Sequence, residues 1–285
     1  MKTIHEKAWA KVNLTLDVVG KREDGYHDLK SIMQTVSLWD DVELTVGTGK
    51  DWNLVCSQPD IPCDARNLAW KAASVFCEAT GKDPDGLTIR IEKRIPSGAG
   101  MGGGSADAAA VLRGLNRYFG EPMTIFQLAD LGAKVGSDVP FCVVGGTIMC
   151  EGRGEKLRKL PDMPKCIILC CKPEFSISTP VLYRKLDERN IPVPVDNDAM
   201  EMAIAAGDMQ AIASCIRNAF DPVVSQEHSE IQHIKDVCLS NGALASEMTG
   251  SGSVVFAIMP DIDSAHAALE ALKKSYEQVF IAEPV

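Results

Sequence analysis

Between Pro96 and Ser105 the chain reads PSGAGMGGGS, with five glycines among the seven positions 98 to 104. Such a run costs backbone entropy, and a merely tight turn needs only one or two glycines. It suits a loop whose backbone N–H groups converge on something close. Before it, Leu87–Lys93 alternates, with Leu87, Ile89 and Ile91 on one face and Thr88, Arg90 and Glu92 on the other. That is the pattern of a half-buried strand. After it, SADAAAVLRGLNRYF is rich in alanine and free of β-branched runs, which predicts a helix. A strand, a glycine turn and a helix N-terminus together form an anion cradle, because the unpaired amides of a first helical turn carry partial positive charge. The predicted phosphate holders are Pro96, Ser97, Gly98, Ala99, Gly100, Met101, Gly102, Gly103, Gly104, Ser105 and Ala106. Ser105 reads as the helix cap, with a metal contact as its other role.

Two familiar phosphate loops do not fit. Gly98–Gly103 satisfies GxGxxG, but a dinucleotide fold needs a strand after the helix, ending in an acidic residue. Here the helix is followed by EPMTIFQLADLGAKVG, a turn and a second helix over Thr124–Val135 with Thr124 as its cap. A Walker loop needs Lys after its last glycines, and Gly104 stands there instead.

The rest of the chain mixes helix and strand. Val12–Val19, Ile32–Leu38 and Asp41–Val46 read as strands, with GKREDGYHD as a turn, and Asn67–Thr80 reads as a helix. Val139–Cys150 reads as strand material. GRGEKLRKLPDMPK is basic and lacks apolar periodicity, so it marks a passage between domains 1–160 and 161–285. Beyond it, Cys166–Lys172, Val254–Met259 and Gln278–Ala282 read as strands. Thr179-Pro180 leads one helix, Asp221-Pro222 leads a long one to about Leu239, and Ile262–Tyr276 forms another. The expected class is α+β.

Lys plus Arg is 29 against 39 Asp plus Glu, a net charge of 29 − 39 = −10, in a chain of 285 residues. An acidic surface has no general pull on a nucleic-acid backbone, so no nucleic-acid partner is expected. None of the ten cysteines forms a CxxC pair, and most sit among apolar neighbours, so they read as reduced core thiols rather than as a zinc site. No secretory signal or membrane span is visible, and the expected location is the cytoplasm. His228 and His233 lie five apart on a predicted helix and read as surface residues.

Three further features bear on chemistry. Lys11, Asn13 and Thr15 share one face of an otherwise apolar alternating segment. Such a stripe is ordinary on a solvated edge and equally ordinary facing a ligand. Asp138, in GSDVPF, stands before an apolar run, where an acid is usually a cap or turn former. Thr249-Gly250-Ser251-Gly252-Ser253 is a second glycine cluster, either a turn or a second backbone wall of a nucleotide site.

Taken together, AKVNLTLDVVGKREDGYHDLKS, IPSGAGMGGGSADAAAVL and MTGSGSVVFA resemble, in this order, the GHMP small-molecule kinases. The likeness spans essentially the whole chain, and GSDVPFCVVGGT and GRGE add to it. The KxN…DGYH segment is similar to one branch, which acts on a cytidylyl methylerythritol in isoprenoid precursor biosynthesis by the non-mevalonate pathway. The resemblance implies a two-lobed α+β fold, with a ribosomal-protein-like β-α-β first lobe and a ferredoxin-like second lobe. It implies transfer of the ATP γ-phosphoryl to the substrate's 2-hydroxyl with Mg²⁺, in a monomer or homodimer. Asp138 matches the family's base, and Lys11 the lysine that keeps it ionised and offsets charge on the moving phosphoryl. Tyr26 and His27 match cytosine-holding positions, and Tyr183 an aromatic on the base's opposite side. Asn13 belongs to the same substrate set, and Asn67 matches a residue near the adenine or ribose of ATP. Two positions depart from the branch. Ala106 stands where a second Ser is common, and Met33 where some members carry an aromatic. The rivals are a homoserine, mevalonate or sugar kinase of the same family, and a nucleotide-binding module without catalysis.

Overall fold

A computed structural model describes residues 1–189 and 193–285 of the chain. The chain divides into two compact units, each of three segments. One comprises Met1–Ala10, Leu38–Ile95 and Gly102–Gly145; the other comprises Lys11–Ser37, Pro96–Met101 and Gly146–Val285. Two long strands, β1 (Lys2–Asn13) and β3 (His27–Val46), give residues to both.

In the first unit, β3 continues through Val46 and pairs antiparallel with β5 (Leu87–Glu92), Leu44 opposite Ile89. β4 (Trp52–Cys56) pairs parallel with β5, Leu54 again opposite Ile89. Leu87, Ile89 and Ile91 are buried while Arg90 and Glu92 are exposed, as the alternation predicts. The helices are α1 (Leu68–Thr80), α2 (Gly103–Tyr118), α3 (Ile125–Gly132) and α4 (Val139–Val144). Small side chains let α2 sit close to its neighbours, and Ala106, Ala108, Ala109 and Ala110 are all buried. At Gly114 a Cβ would stand 2.5 Å from Leu44 Cδ1. A glycine inside a helix costs about 1 kcal/mol against alanine, and here it allows that contact. Thr124 caps α3 through a reciprocal pair with Gln127, as expected.

The second unit carries an antiparallel array of β2 (Thr15–Lys21), the first part of β3, β6 (Thr147–Gly152) and β7 (Lys156–Lys159). The two-residue β9 (Arg217–Asn218) runs parallel to β2. The unit's other sheet is formed by β8 (Ile167–Lys172), β10 (Ala245–Met248), β11 (Val255–Met259) and β12 (Gln278–Ala282), in the order β10-β11-β8-β12. Helices α5 (Thr179–Arg189), α6 (Asn197–Ala206), α7 (Met209–Cys215), α8 (Asp221–Ser225) and α9 (Ser229–Ser240) separate β8 from β10, and α10 (Ile262–Leu272) joins β11 to β12. That order and connection are the split β-α-β of the expected ferredoxin-like lobe. Its core packs Leu169, Cys171, Val255 and Ala257 of the sheet against Ile231, Ile234, Ala265 and Leu269 of the helices. Burial pushes the thiols of Cys170 and Cys171 upward, and that of Cys166 up to about 12. Among the described residues no helix is long and apolar enough to cross a membrane.

Several local expectations are corrected. Val139–Cys150 is not continuous strand but α4 followed by β6. Pro140 in the first turn favours a helix start there, and Gly145 ends the helix. The basic stretch after Glu151 contains an edge strand, β7, whose Lys and Arg face solvent. The helix expected from Asp221 to Leu239 is two, α8 and α9. Ile32–Leu38 and Asp41–Val46 belong to one strand, whereas Val12–Val19 is broken at Leu14. His228 is half-buried, its ring stacked on Phe175 at 4.0 Å.

Candidate active site

The glycine loop takes the form its composition demands. Gly98, Gly100 and Gly102 have φ of +60°, +75° and +72°, a left-handed conformation in which other residues are strained. Pro96–Met101 falls in the second unit, where three contacts fix it. Lys11 N donates to Met101 O at 3.1 Å, and Val254 N donates to Ala99 O at 3.2 Å. A Cβ on Gly98 would stand 2.9 Å from Ser176 Oγ. The second glycine cluster is the wall against which this half of the loop rests. A Cβ on Gly100 would meet Thr249 O at 2.1 Å, and one on Gly250 would meet Gly100 O at 2.8 Å.

The other half belongs to the first unit. Gly102 is the N-cap of α2 and no side chain caps it. Ser105 is therefore not the cap; it is the third residue of the helix. The first-turn amides of Gly103, Gly104 and Ser105 have no partner inside the helix by construction, which is the property an anion site uses. Ala106 is buried and opens the intrahelical ladder, its N–H donating to Gly102 O at 2.8 Å.

Under this turn lies a charged cluster that the sequence reading missed. Lys93 Nζ is 2.5 Å from Asp40 Oδ2 and 2.7 Å from Asp107 Oδ2. The three side chains are 3%, 0% and 5% exposed. Asp40 also accepts from Arg94 N and Ile95 N, pinning the chain as it enters the loop. A Cβ on Gly103 would stand 3.3 Å from the Lys93 ammonium. Burial drives the Asp107 carboxyl up to about 7; Lys93 pulls it down and Asp40 pushes it further up. Asp107 Oδ1 has no hydrogen-bond partner among the described residues. In the same unit Asn67 caps α1, accepting from Ala69 N and donating to Pro62 O. Asp138 stands at the start of α4, and its side chain makes no capping bond there.

In the second unit the polar stripe is core, not a solvated edge: Lys11, Asn13 and Thr15 are 2%, 1% and 0% exposed. Lys11 Nζ donates to Asn13 Oδ1 at 2.7 Å. Thr249 Oγ1 donates to the same oxygen at 3.2 Å, and Asn13 Nδ2 donates to Ser31 Oγ at 2.8 Å. Met33, one of the two departures, is buried in β3. His27 and Tyr183 come together, their rings stacked 4.6 Å apart and 16° from parallel. Tyr26 does not join them. It is 56% exposed, with the Arg153 guanidinium 5.0 Å over its ring. His27 borders a cleft of about 890 Å³ with Asp17, Lys21, Leu186 and Asp187. That volume lies within the range of nucleotide and drug-sized pockets.

The sequence as a whole has close counterparts. The family description "GHMP kinases N terminal domain" matches residues 67–146, and "GHMP kinases C terminal" matches residues 200–278. A 4-diphosphocytidyl-2-C-methyl-D-erythritol kinase of Caldicellulosiruptor saccharolyticus is 42% identical over 275 residues, 96% of this chain and 94% of its own. The enzyme of that name from Clostridium tetani is 41% identical over 98% of this chain and 99% of its own. A solved 4-(cytidine 5'-diphospho)-2C-methyl-D-erythritol kinase superposes with a TM-score of 0.82 at 31% identity, covering 98% of each chain. A homoserine kinase from Cytophaga hutchinsonii shares the fold, with a TM-score of 0.79 at 19% identity over 100% of this chain and 95% of its own. By these matches, which run nearly end to end, the chain belongs to the GHMP kinase family, in the branch of the 4-diphosphocytidyl-2-C-methyl-D-erythritol kinases.

Proposed function

We propose that this protein transfers the γ-phosphoryl group of ATP to the 2-hydroxyl of 4-diphosphocytidyl-2-C-methyl-D-erythritol, a cytoplasmic step of non-mevalonate isoprenoid precursor synthesis. The observation that carries the reading is His27, stacked on Tyr183 and bordering a nucleotide-sized cleft, in a chain about 40% identical to kinases named for that substrate. Homoserine and mevalonate, as acceptor substrates, carry no base to stack.

Phosphoryl transfer needs positioning and charge stabilisation more than covalent chemistry. The amides of Gly103, Gly104 and Ser105 hold phosphate oxygens, and the positive φ of Gly98, Gly100 and Gly102 turns the loop backbone toward them. Asp138 accepts the hydroxyl proton as the new bond forms. Lys11, its ammonium directed by Asn13 Oδ1, offsets charge on the transferring group. Asn67 borders the adenosine, while His27 and Tyr183 hold the cytosine.

Mg²⁺ is usually held by one or two protein oxygens together with substrate phosphates, not by a protein cage. The Ser105 hydroxyl, in the uncapped first turn of α2, fits that donor set. With ATP bound, the Ser105 hydroxyl would help hold the ion, which would supply positive charge against the phosphates.

The test is a substrate panel followed by ³¹P NMR of the product. Turnover with the cytidylyl substrate, and none with homoserine, mevalonate or galactose, supports the assignment. Turnover with homoserine and none with the cytidylyl compound overturns it.

A further inference from the structure

We propose that Asp187 fixes the ring tautomer of His27, and that this makes the site choose cytosine over uracil. The inference rests on the cytidylyl reading above and adds a positioning residue to it.

Asp187 lies on α5 and reaches His27 at the start of β3, 160 residues away in sequence. Its Oδ1 is 2.7 Å from His27 Nε2, and its Oδ2 accepts from Lys21 Nζ at 2.6 Å. Bonds first from Lys21 and then from His27 hold this carboxyl below its ordinary range, so it is ionised. An ionised carboxylate only accepts, so the proton between them sits on Nε2. A neutral imidazole then has its lone pair at Nδ1.

The ring is also fixed in plane. The His27 side chain is only 7% exposed and stacks on Tyr183, which meets Phe220 edge-on at 4.9 Å and 89°. A ring held by stacking on its face and by a carboxylate at its edge presents one acceptor in one direction. Cytosine carries an exocyclic amine where uracil carries a carbonyl oxygen. An acceptor pairs with the first and opposes the second. A site whose polar group is left unpaired by the wrong ligand rejects that ligand strongly. Without Asp187 the imidazole can exchange tautomers and pair with either base.

The experiment reads the tautomer and the discrimination separately. Ring ¹⁵N shifts of the labelled full-length protein at pH 8.5, with His27 assigned by its loss in His27→Gln, should show Nε2–H in the parent. Asp187→Ala should give a mixture of tautomers. In turnover, Asp187→Ala should cut the cytidylyl-over-uridylyl ratio of kcat/KM by about 10-fold or more, mainly through KM for the cytidylyl substrate. kcat should stay within about threefold. Asp187→Glu should restore most of the ratio, which a general loss of structure would not allow. An Nδ1–H parent, an unmoved tautomer in Asp187→Ala or an unmoved ratio overturns the proposal. A parent that turns over no cytidylyl substrate overturns the functional reading instead. Titration with cytidine and uridine, followed by the same His27 signals, then judges Asp187 on its own: equal preference in parent and Asp187→Ala overturns it.

Discussion

The carbonyl oxygen of Thr249 lies 2.1 Å from where a Cβ would stand on Gly100, a residue held at φ +75°. Two glycine loops far apart in sequence are thus pressed backbone to backbone, and a single methyl group cannot enter without moving one of them. Gly100→Ala is expected to lower stability by about 2 kcal/mol or more, from left-handed strain together with overpacking. The thermal midpoint should fall by several degrees, and KM for ATP should rise because the loop has shifted. A variant with the parent's midpoint and KM would show that the contact does not matter.

Asp138→Asn tests the base. The amide keeps the size and polarity of the side chain but cannot take a proton. kcat should fall by about 10²- to 10⁴-fold with KM for ATP little changed. Near-normal kcat would remove Asp138 from the mechanism. Ser105→Ala should instead raise KM for ATP and weaken the Mg²⁺ dependence.

Asn13 joins three buried partners, Lys11, Thr249 and Ser31. Asn13→Ala takes a bond away from each of these polar groups, at a cost of about 1–3 kcal/mol for each group left unsatisfied. Asn13→Asp keeps the acceptor for Lys11 but cannot donate to Ser31. Denaturant unfolding should rank the parent above Asn13→Asp and both above Asn13→Ala, with kcat in the same order. An Asn13→Ala protein equal to the parent in both would show the network to be redundant.

What could be read from the sequence follows from the range of the physics involved. Leu87–Glu92 was legible because burial on one face forces strict alternation. The glycine loop was legible because positive φ at alternate positions needs glycine. Val139–Val144 was not, because six residues are too few for a helical period and Val-Pro-Phe-Cys-Val-Val looks like a strand. β7 was hidden for the opposite reason: an edge strand can be mostly charged, and three of its four residues are Lys or Arg. The Lys11–Asn13 stripe was visible, but whether it was wet or dry was not, because its burial depends on Ser31 and Thr249. Asp187 and Asp40 had no signal at all. Each meets its partner, His27 or Lys93, only through strand pairing and helix packing across long stretches of chain.

The Lys93 cluster carries the sharpest prediction about stability and pH. One cation faces two carboxylates, and the Asp107 carboxyl is raised from its ordinary 3.8 to about 7, chiefly by burial. The folded protein therefore holds this proton more tightly than the unfolded chain. The group favours the fold most at low pH; its contribution is lost as pH rises from about 4 to about 7 and is flat above that. Glu247, buried with Asp221 and Lys235, is likewise raised to about 7 by burial, then by Asp221, and acts in the same window. Asp107→Asn removes one of these two sources. Urea unfolding between pH 5 and 7 should show a shallower decline than the parent, with equal or greater stability at pH 8, where the Lys93–Asp40 pair is left balanced. Lys93→Met does the reverse. It strands two carboxylates in the core and should cost about 3–5 kcal/mol at pH 8. Because Lys93 lies beneath Gly103 and Asp40 pins Arg94 and Ile95, that loss should come with a raised KM for ATP. A Lys93→Met protein as stable as Asp107→Asn at pH 8 would show that the cation does not hold the cluster together.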